Sequence, residues 1–356
     1  MRLRAPLAIR AAAVHLPRRS LQVSEALAGG LLRPQDHAAS GYEALPAAEP
    51  GDTPEAFAVE AARLALELAA TRPSAIRLLI HTWLHRPAHP FWSPAHHIAD
   101  RLGAGRALPL SVQQMSNGSA AALHTAAAWL TADPETGPVL ITAADTFVPP
   151  GFDRWRGDIM LYGDAGCAAV IDLPAPGRDD LQLMALASTA APHLEAVHRA
   201  GRRPGDTGAP HPRETRRRFL TEHDAETFRS AAQAGAAEAI RTALRHAGLD
   251  HGGPAPRMVL LPRVGARTLA ALYRPVLERL LPGVPCLDLG QHTGHLGAGD
   301  LLANLAAFPA ATCSLPPGEH ALILNGGGGF TWTCAVFRRP APTCPSHRPT
   351  DTKAQT

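Results

Sequence analysis

Residues Ser111-Val112-Gln113-Gln114-Met115-Ser116-Asn117-Gly118-Ser119 read as a short strand that runs directly into a helix extending to Leu130. A second such junction lies far downstream, where the strand Cys286-Leu287-Asp288-Leu289 leads into Gly290-Gln291-His292-Thr293-Gly294-His295-Leu296-Gly297-Ala298-Gly299-Asp300. Elements around the two junctions repeat in order. Pro54 to Ala70 carries apolar residues at helical spacing, Arg77-Leu78-Leu79-Ile80-His81-Thr82 is a short apolar strand, and Val139 to Ala143 and Ala168 to Ile171 are buried strands. Glu226 to Ala247 is the matching helix, Met258 to Pro262 the matching strand, and Ala321 to Leu324 and Ala335 to Phe337 close the second set. The pattern predicts an α/β protein built from two duplicated halves, alike in element order and not in residue identity.

Composition excludes several classes of function. The 356 residues hold 34 Lys plus Arg against 31 Asp plus Glu, a net charge of +3, too small and scattered for nucleic-acid binding. Lysine occurs once, at Lys353, so phosphate or carboxylate groups would be met by arginine. No apolar run reaches about 18 residues, which argues against a membrane span, and no signal-peptide core follows Met1-Arg2-Leu3-Arg4. Five cysteines without a CxxC pair argue against a disulfide framework and a structural zinc site, so no metal is expected and a reducing cytoplasm fits. Residues 188–222, rich in His, Arg, Pro and Gly, read as a long loop or insertion, and the Pro-rich tail from Arg338 as disordered.

Four segments can carry chemistry. A hydroxyl at Ser116 would sit at the positive end of the following helix, a position that suits a nucleophile and equally suits an N-cap. His295 and Asp300, five residues apart in a glycine-rich loop, suit a base and its orienter, or a capped helix with solvated histidines. Asn325-Gly326-Gly327-Gly328-Gly329-Phe330-Thr331-Trp332 can bring a backbone N–H against an oxyanion or make a tight turn; the Lys-Ser/Thr of a phosphate loop is missing. Tyr162-Gly163-Asp164-Ala165-Gly166-Cys167-Ala168-Ala169-Val170 is a tight turn into a strand.

In this order and spacing, these pieces resemble the β-ketoacyl-ACP synthase III family of the thiolase superfamily over residues 8–338. Phe91-Trp92-Ser93-Pro94-Ala95-His96-His97-Ile98-Ala99-Asp100-Arg101-Leu102-Gly103 is similar to the family segment that carries a phenylalanine across the dimer interface. Met160 to Val170 resembles "FGDGAGAAV", and Gly327 to Trp332 resembles "GGGFTW". The resemblance implies a thiolase fold, five-layered αβαβα, with an N-terminal half at 1–178, a C-terminal half at 179–338 and a tail at 339–356, assembled as a homodimer. Three positions depart from the family. Ser116 replaces the cysteine of "ACAG"; Pro262-Arg263-Val264 replaces the histidine of "PHQAN"; and His295 replaces the asparagine of "GNTSAAS". That His/Asn pair drives decarboxylation of malonyl thioesters in the family.

The loop Gly294 to Asp300 instead resembles "GHxGAGD" of ketosynthase III-like acyltransferases from natural-product pathways such as those of cervimycin and daunorubicin-type compounds. This resemblance implies a Ser116–His295–Asp300 triad and an oxyanion hole from the N–H groups of Ser116 and Gly328. Phe91, Asn117, Arg154, Trp155, Arg156 and Arg263 are the expected substrate contacts, with Trp155 stacking on a CoA adenine. Arg213 and Arg216 to Arg218 can instead face an acidic acyl carrier protein. His292 and His124 are expected to be structural. No tightly bound cofactor is implied: the acyl group arrives on CoA or phosphopantetheine and leaves on a small-molecule alcohol, amine or thiol. A starter-unit ketosynthase, a non-catalytic partner subunit and a serine hydrolase are the alternatives.

Overall fold

The computed structural model describes residues 2–157, 159–203, 205–206, 211–250, 253–308 and 314–341. Among the described residues twelve strands run in chain order as β1 (Leu7–His15), β2 (Arg19–Gln22), β3 (Ala44–Ala47), β4 (Leu78–Thr82), β5 (Leu108–Val112), β6 (Val139–Asp145), β7 (Ala165–Asp172), β8 (Leu181–Ala190), β9 (Met258–Leu260), β10 (Cys286–Leu287), β11 (His320–Gly327) and β12 (Thr331–Arg338). Ten of them pair in the order β10-β9-β11-β12-β8-β1-β7-β6-β4-β5.

That order is one five-strand pattern written twice. From its inner strand outward the first half reads β1-β7-β6-β4-β5 and the second β8-β12-β11-β9-β10. The first two pairings of each half are antiparallel and the last two parallel. The halves join where Leu7 to Ile9 of β1 pairs with Leu181 to Leu183 of β8.

Strand alternation sorts the core into layers, because successive side chains leave opposite faces. Leu140 and Ala144 of β6 pack outward with Ala168 and Val170 of β7 beneath helices Pro54–Leu68 and Pro94–Leu102. Val139, Ile141 and Ala143 face inward and join Ala335 and Phe337 of β12 around helices Gly118–Ala132 and Asp300–Leu305. On the far side, Leu322, Leu324, Cys334 and Val336 pack under helices Ala225–Ala247 and Arg274–Leu280. The result is helix, sheet, helix, sheet, helix: the five-layered thiolase fold.

Local chemistry explains the ends. Thr53 caps helix 54–68 by accepting from Ala56 N–H, with Pro54 at its first position. Asp224 caps helix 225–247, which ends on Gly248 in the left-handed region.

One expectation is corrected. Residues 188–222 are not a long loop: β8 continues to Ala190, a 3-10 segment spans Pro192–His198, and Pro212–Glu222 is a helix. That helix buries Thr215 and Phe219, a seam too thin to show in an arginine-rich stretch. The proposed tail lies outside the described residues from 342 onward.

Candidate active site

The segment after β5 turns sharply into helix Gly118–Ala132. Met115 has φ 49°, the left-handed region, and the turn closes with Asn117 N–H donating to Gln114 O at 3.0 Å and Gly118 N–H to Met115 O at 3.0 Å. The N-cap position falls on Asn117, and Ser116, just ahead of it, turns its hydroxyl elsewhere. Ser116 Oγ lies 2.7 Å from His295 Nε2, and His295 Nδ1 lies 2.6 Å from Asp300 Oδ2. All three are buried. Asp300 Oδ1 accepts from Leu296 N–H at 2.8 Å, so the carboxylate orients the imidazole and the loop that carries it.

The segment Leu161 to Gly163 holds His295 in place. Its N–H donates to Leu161 O at 2.8 Å and its carbonyl accepts from Gly163 N–H at 3.0 Å. Gly163 is required there, because a Cβ would overlap Thr293 O. The Tyr162 ring meets the His295 ring edge-on at 5.5 Å. The turn at 162–166, weak as a motif alone, is the brace of the histidine.

The glycine turn after β11 packs against the serine turn. A Cβ on Gly327 would lie 2.6 Å from Asn117 N. Asn325 Nδ2 donates to Ser116 O at 3.0 Å and Asn117 Nδ2 donates to Thr333 Oγ1 at 3.0 Å. Ser116, Gly326, Gly327 and Gly328 all line one cavity of about 560 Å³, within the size range of small-molecule sites. Its walls are aromatic at Phe152, Tyr162, Tyr273, Phe330 and Trp332, and its outer part carries Arg216, Arg229 and Arg267.

The structure divides the expected substrate contacts. Arg154 is buried, paired with Asp164 at 2.7 Å and donating to Pro46 O and Tyr162 O at 3.1 Å; it does not line the cavity at Ser116 and it braces the fold. Arg263 is likewise internal: its N–H donates to Asp300 Oδ2 at 3.3 Å, its Nε to Asn304 Oδ1 at 3.1 Å and a terminal nitrogen to Leu289 O and Thr293 Oγ1 at 2.6 Å. Burial lowers its pKa. Asn117 is buried within the hydrogen bonds that fix the serine turn. Trp155 and Arg156 do line an outer groove of about 720 Å³ with Arg33, Arg213 and Arg217. Arg213 is partly committed, paired with Asp36 at 2.9 Å, and Arg218 pairs with Glu214 at 3.0 Å. His211 and Arg216 line both groove and cavity. Phe91 stands fully exposed with φ 51°. His292 is exposed beside Glu43, and His124 Nε2 lies 2.9 Å from Ser188 Oγ.

Sequence reading missed Asp145, at the end of β6. Its carboxylate accepts from Leu84 N–H at 2.9 Å, His85 N–H at 2.8 Å and Ala298 N–H at 2.9 Å. It ties the cavity wall to the loop carrying His295. Burial raises its pKa to about 7 against the pull of those hydrogen bonds. Among the described cysteines none lines the cavity; burial pushes the Cys167 thiol up to about 12 and raises those of Cys334 and Cys286. No group of side chains suited to a metal occurs among the described residues, and no described helix is long and apolar enough to cross a membrane.

Fold and site together define a thiolase-fold protein with a serine at the strand-to-helix turn. No family model matches the chain. The β-ketoacyl-[acyl-carrier-protein] synthase III of Roseiflexus sp. (strain RS-1) is 28% identical over 297 residues, 82% of this chain and 85% of that protein. The solved structure of ChlB3, described as an acyltransferase, superposes with a TM-score of 0.84 at 27% identity, covering 95% of this chain and 98% of that one. The priming β-ketosynthase of the R1128 polyketide pathway shares the fold, with a TM-score of 0.69 at 19% identity over 96% of this chain and 99% of its own. The relatives and structural neighbours of this chain are thus enzymes like β-ketoacyl-ACP synthase III, a group that includes condensing enzymes and acyltransferases.

Proposed function

We propose that the protein is an acyltransferase that carries an acyl group on Ser116. One observation carries this reading: the unbroken line Ser116 Oγ, His295 Nε2, Nδ1, Asp300 Oδ2 at 2.7 and 2.6 Å, opening on a cavity that no described cysteine reaches. A serine hydroxyl needs an adjacent base. His295 Nε2 takes the hydroxyl proton as Oγ attacks the thioester carbonyl, and Asp300 stabilises the imidazolium. The N–H groups of Ser116 and Gly328 hold the oxyanion; one such donor contributes about 2.7–4 kcal/mol. Collapse expels the thiolate, which takes the proton from His295. The acceptor then gives its own proton to His295, attacks the ester carbonyl and releases Ser116. Its position before the helix, at the positive end of the backbone dipoles, favours the developing negative charge.

The replaced positions favour transfer over carbon–carbon bond formation. Arg263 is committed to internal hydrogen bonds and His295 to the serine, so neither polarises a malonyl carbonyl. The donor is an acyl-CoA or an acyl carrier protein, its phosphates met by the groove of Arg33, Trp155, Arg156 and Arg217, and the acceptor is a small molecule. A homodimer would seat Phe91 at the partner's cavity.

Intact-protein mass spectrometry with a panel of acyl-CoA and acyl carrier protein donors tests the reading. An acyl mass shift in the wild type, lost in Ser116→Ala, is expected. Release of CO2 with malonyl donors would assign the site to condensation, and absence of any adduct or turnover would overturn the acyl-serine.

A further inference from the structure

The turn carrying Ser116 is tied to β12 and β8 by an unbroken run of side-chain hydrogen bonds that the reaction above does not use. Asn325 Nδ2 donates to Ser116 O at 3.0 Å and to Asn117 Oδ1 at 3.2 Å. Asn117 Nδ2 donates to Thr333 Oγ1 at 3.0 Å, with a longer contact of 3.4 Å to Gln114 Oε1. Thr333 Oγ1 lies 2.6 Å from Ser188 Oγ, its neighbour across the β12–β8 pairing. Ser188 Oγ lies 2.9 Å from Nε2 of His124, on the helix that follows Ser116. Asn117, Asn325 and Thr333 are buried, where polar groups need partners.

A backbone carbonyl only accepts, and that fixes the direction of every link. Ser116 O requires the amide NH2 of Asn325, whose second proton goes to Asn117 Oδ1 and turns the NH2 of Asn117 toward Thr333. Thr333 Oγ1 accepts that bond, and the partner for its own proton among the described residues is Ser188 Oγ. Ser188 in turn gives its proton to His124 Nε2, which has to be bare, with the ring proton on Nδ1. A proton on Nε2 would leave one of the two hydroxyl protons without an acceptor. Burial lowers the His124 pKa to about 4, so the ring is neutral and able to accept at pH 7.

We propose that His124 is a positioning residue for the serine: as the last acceptor of this run, it seats the Ser116 turn against β11 and β12, the strands that flank the glycine turn. What it positions rests on the acyl-serine reading; its tautomer does not. A misplacement of about 1 Å can cost a reaction about 10²-fold, so losing the terminal acceptor should cost roughly tenfold to a hundredfold in rate without weakening binding.

Two measurements on the full-length protein test the role. Nitrogen NMR of labelled histidines reads the tautomer: His124, assigned by its loss in His124→Gln, should carry its proton on Nδ1, and a proton on Nε2 overturns the proposal. Diisopropyl fluorophosphate, a small reagent for activated serines, serves as the probe at Ser116, followed by intact-protein mass spectrometry. In His124→Leu its maximal rate should fall by roughly tenfold or more with the half-saturating concentration unchanged. His124→Gln, whose side-chain oxygen accepts, should recover most of the rate. Ser188→Ala should cost as much as His124→Leu and the double variant no more, because both cut one run. Additive losses without recovery in His124→Gln would reduce His124 to a packing residue and overturn the proposal. Circular dichroism confirms folding, and Thr333→Val, which cuts the run one link nearer the serine, replaces His124→Leu if that variant does not fold. An unchanged rate in the folded variant overturns the positioning role alone, whereas a wild type that is not labelled at Ser116 overturns the activated serine with it.

Discussion

Asp300 grips its loop with both oxygens: Oδ2 lies 2.6 Å from His295 Nδ1, and Oδ1 accepts from Leu296 N–H at 2.8 Å. The first contact fixes the tautomer, since a carboxylate on Nδ1 requires a proton there and leaves Nε2 to accept from Ser116. Asp300→Asn keeps the shape and can present an amide N–H to Nδ1, which turns Nε2 into a donor. The rate of acyl adduct formation, read by quenched mass spectrometry, should fall by roughly 10⁴, with donor binding little changed. Loss of binding in proportion to rate would make Asp300 a scaffold and not an orienter.

Arg154 and Asp164 form a buried ion pair at 2.7 Å, and Asp164 also accepts from Ala48 and Phe147 N–H at 2.7 Å. Removing the guanidinium leaves a carboxylate without its charge partner in the interior. Arg154→Ala should lower unfolding free energy by about 3–5 kcal/mol in urea. Had Arg154 bound a donor phosphate, as its sequence position suggests, the variant would raise KM with stability intact. Trp155→Ala, in the groove, should show that second behaviour.

Sequence alone exposed the duplicated order because the strands β4, β6, β9 and β11 are short apolar runs. It missed β1, whose Ala11-Ala12-Ala13 carries no strand signature, and β8, whose Ser188 and Thr189 pair with Thr333 and Trp332 where polar residues suggested a loop. Ser116, His295 and Asp300 stood out as separate candidates at two like junctions, each with a capping alternative; only the resemblance to ketosynthase III-like acyltransferases implied that they meet, and the structure brings them within hydrogen-bond distance. Arg154 and Arg263 misled, since a charged residue beside a motif reads the same whether it faces a ligand or a backbone carbonyl. Asp145 gave no signal at all: its meaning comes from contacts over 60 and 153 residues of chain.

Gly118 opens the helix behind the serine, and a Cβ there would overlap Thr82 Oγ1 and lie 3.1 Å from Thr82 Cβ and Ala298 Cβ. Alanine normally favours a helix over glycine by about 0.5–1 kcal/mol, so any loss must come from that overlap. Gly118→Ala should destabilise by about 1–3 kcal/mol through overpacking. Thr82 Oγ1 is itself buried without a partner among the described residues, so Thr82→Ala alone should cost little. The double variant should recover much of the loss, a coupling of about 1–2 kcal/mol in a double-mutant cycle. Additive effects would place the strain elsewhere.

Asp145 gives the fold a pH dependence of definite sign. Its carboxyl has a pKa of about 7 when folded against the ordinary aspartate value of 3.8, because burial penalises the charge. Between those values the folded state binds more protons than the unfolded one, so stability falls as pH rises from about 4 to 7 and is flat above. The term is on the order of a few kcal/mol. Asp145→Asn has no such term, but its single oxygen cannot serve Leu84, His85 and Ala298 together, and its amide NH2 would face a backbone N–H. Urea unfolding from pH 5 to 8 should therefore show wild-type stability declining relative to the variant, from a clear advantage at low pH to a smaller one at pH 8. Parallel curves would mean that the three N–H donors keep the carboxylate ionised throughout. In that case the loop bearing His295 is clamped by a full negative charge at every working pH.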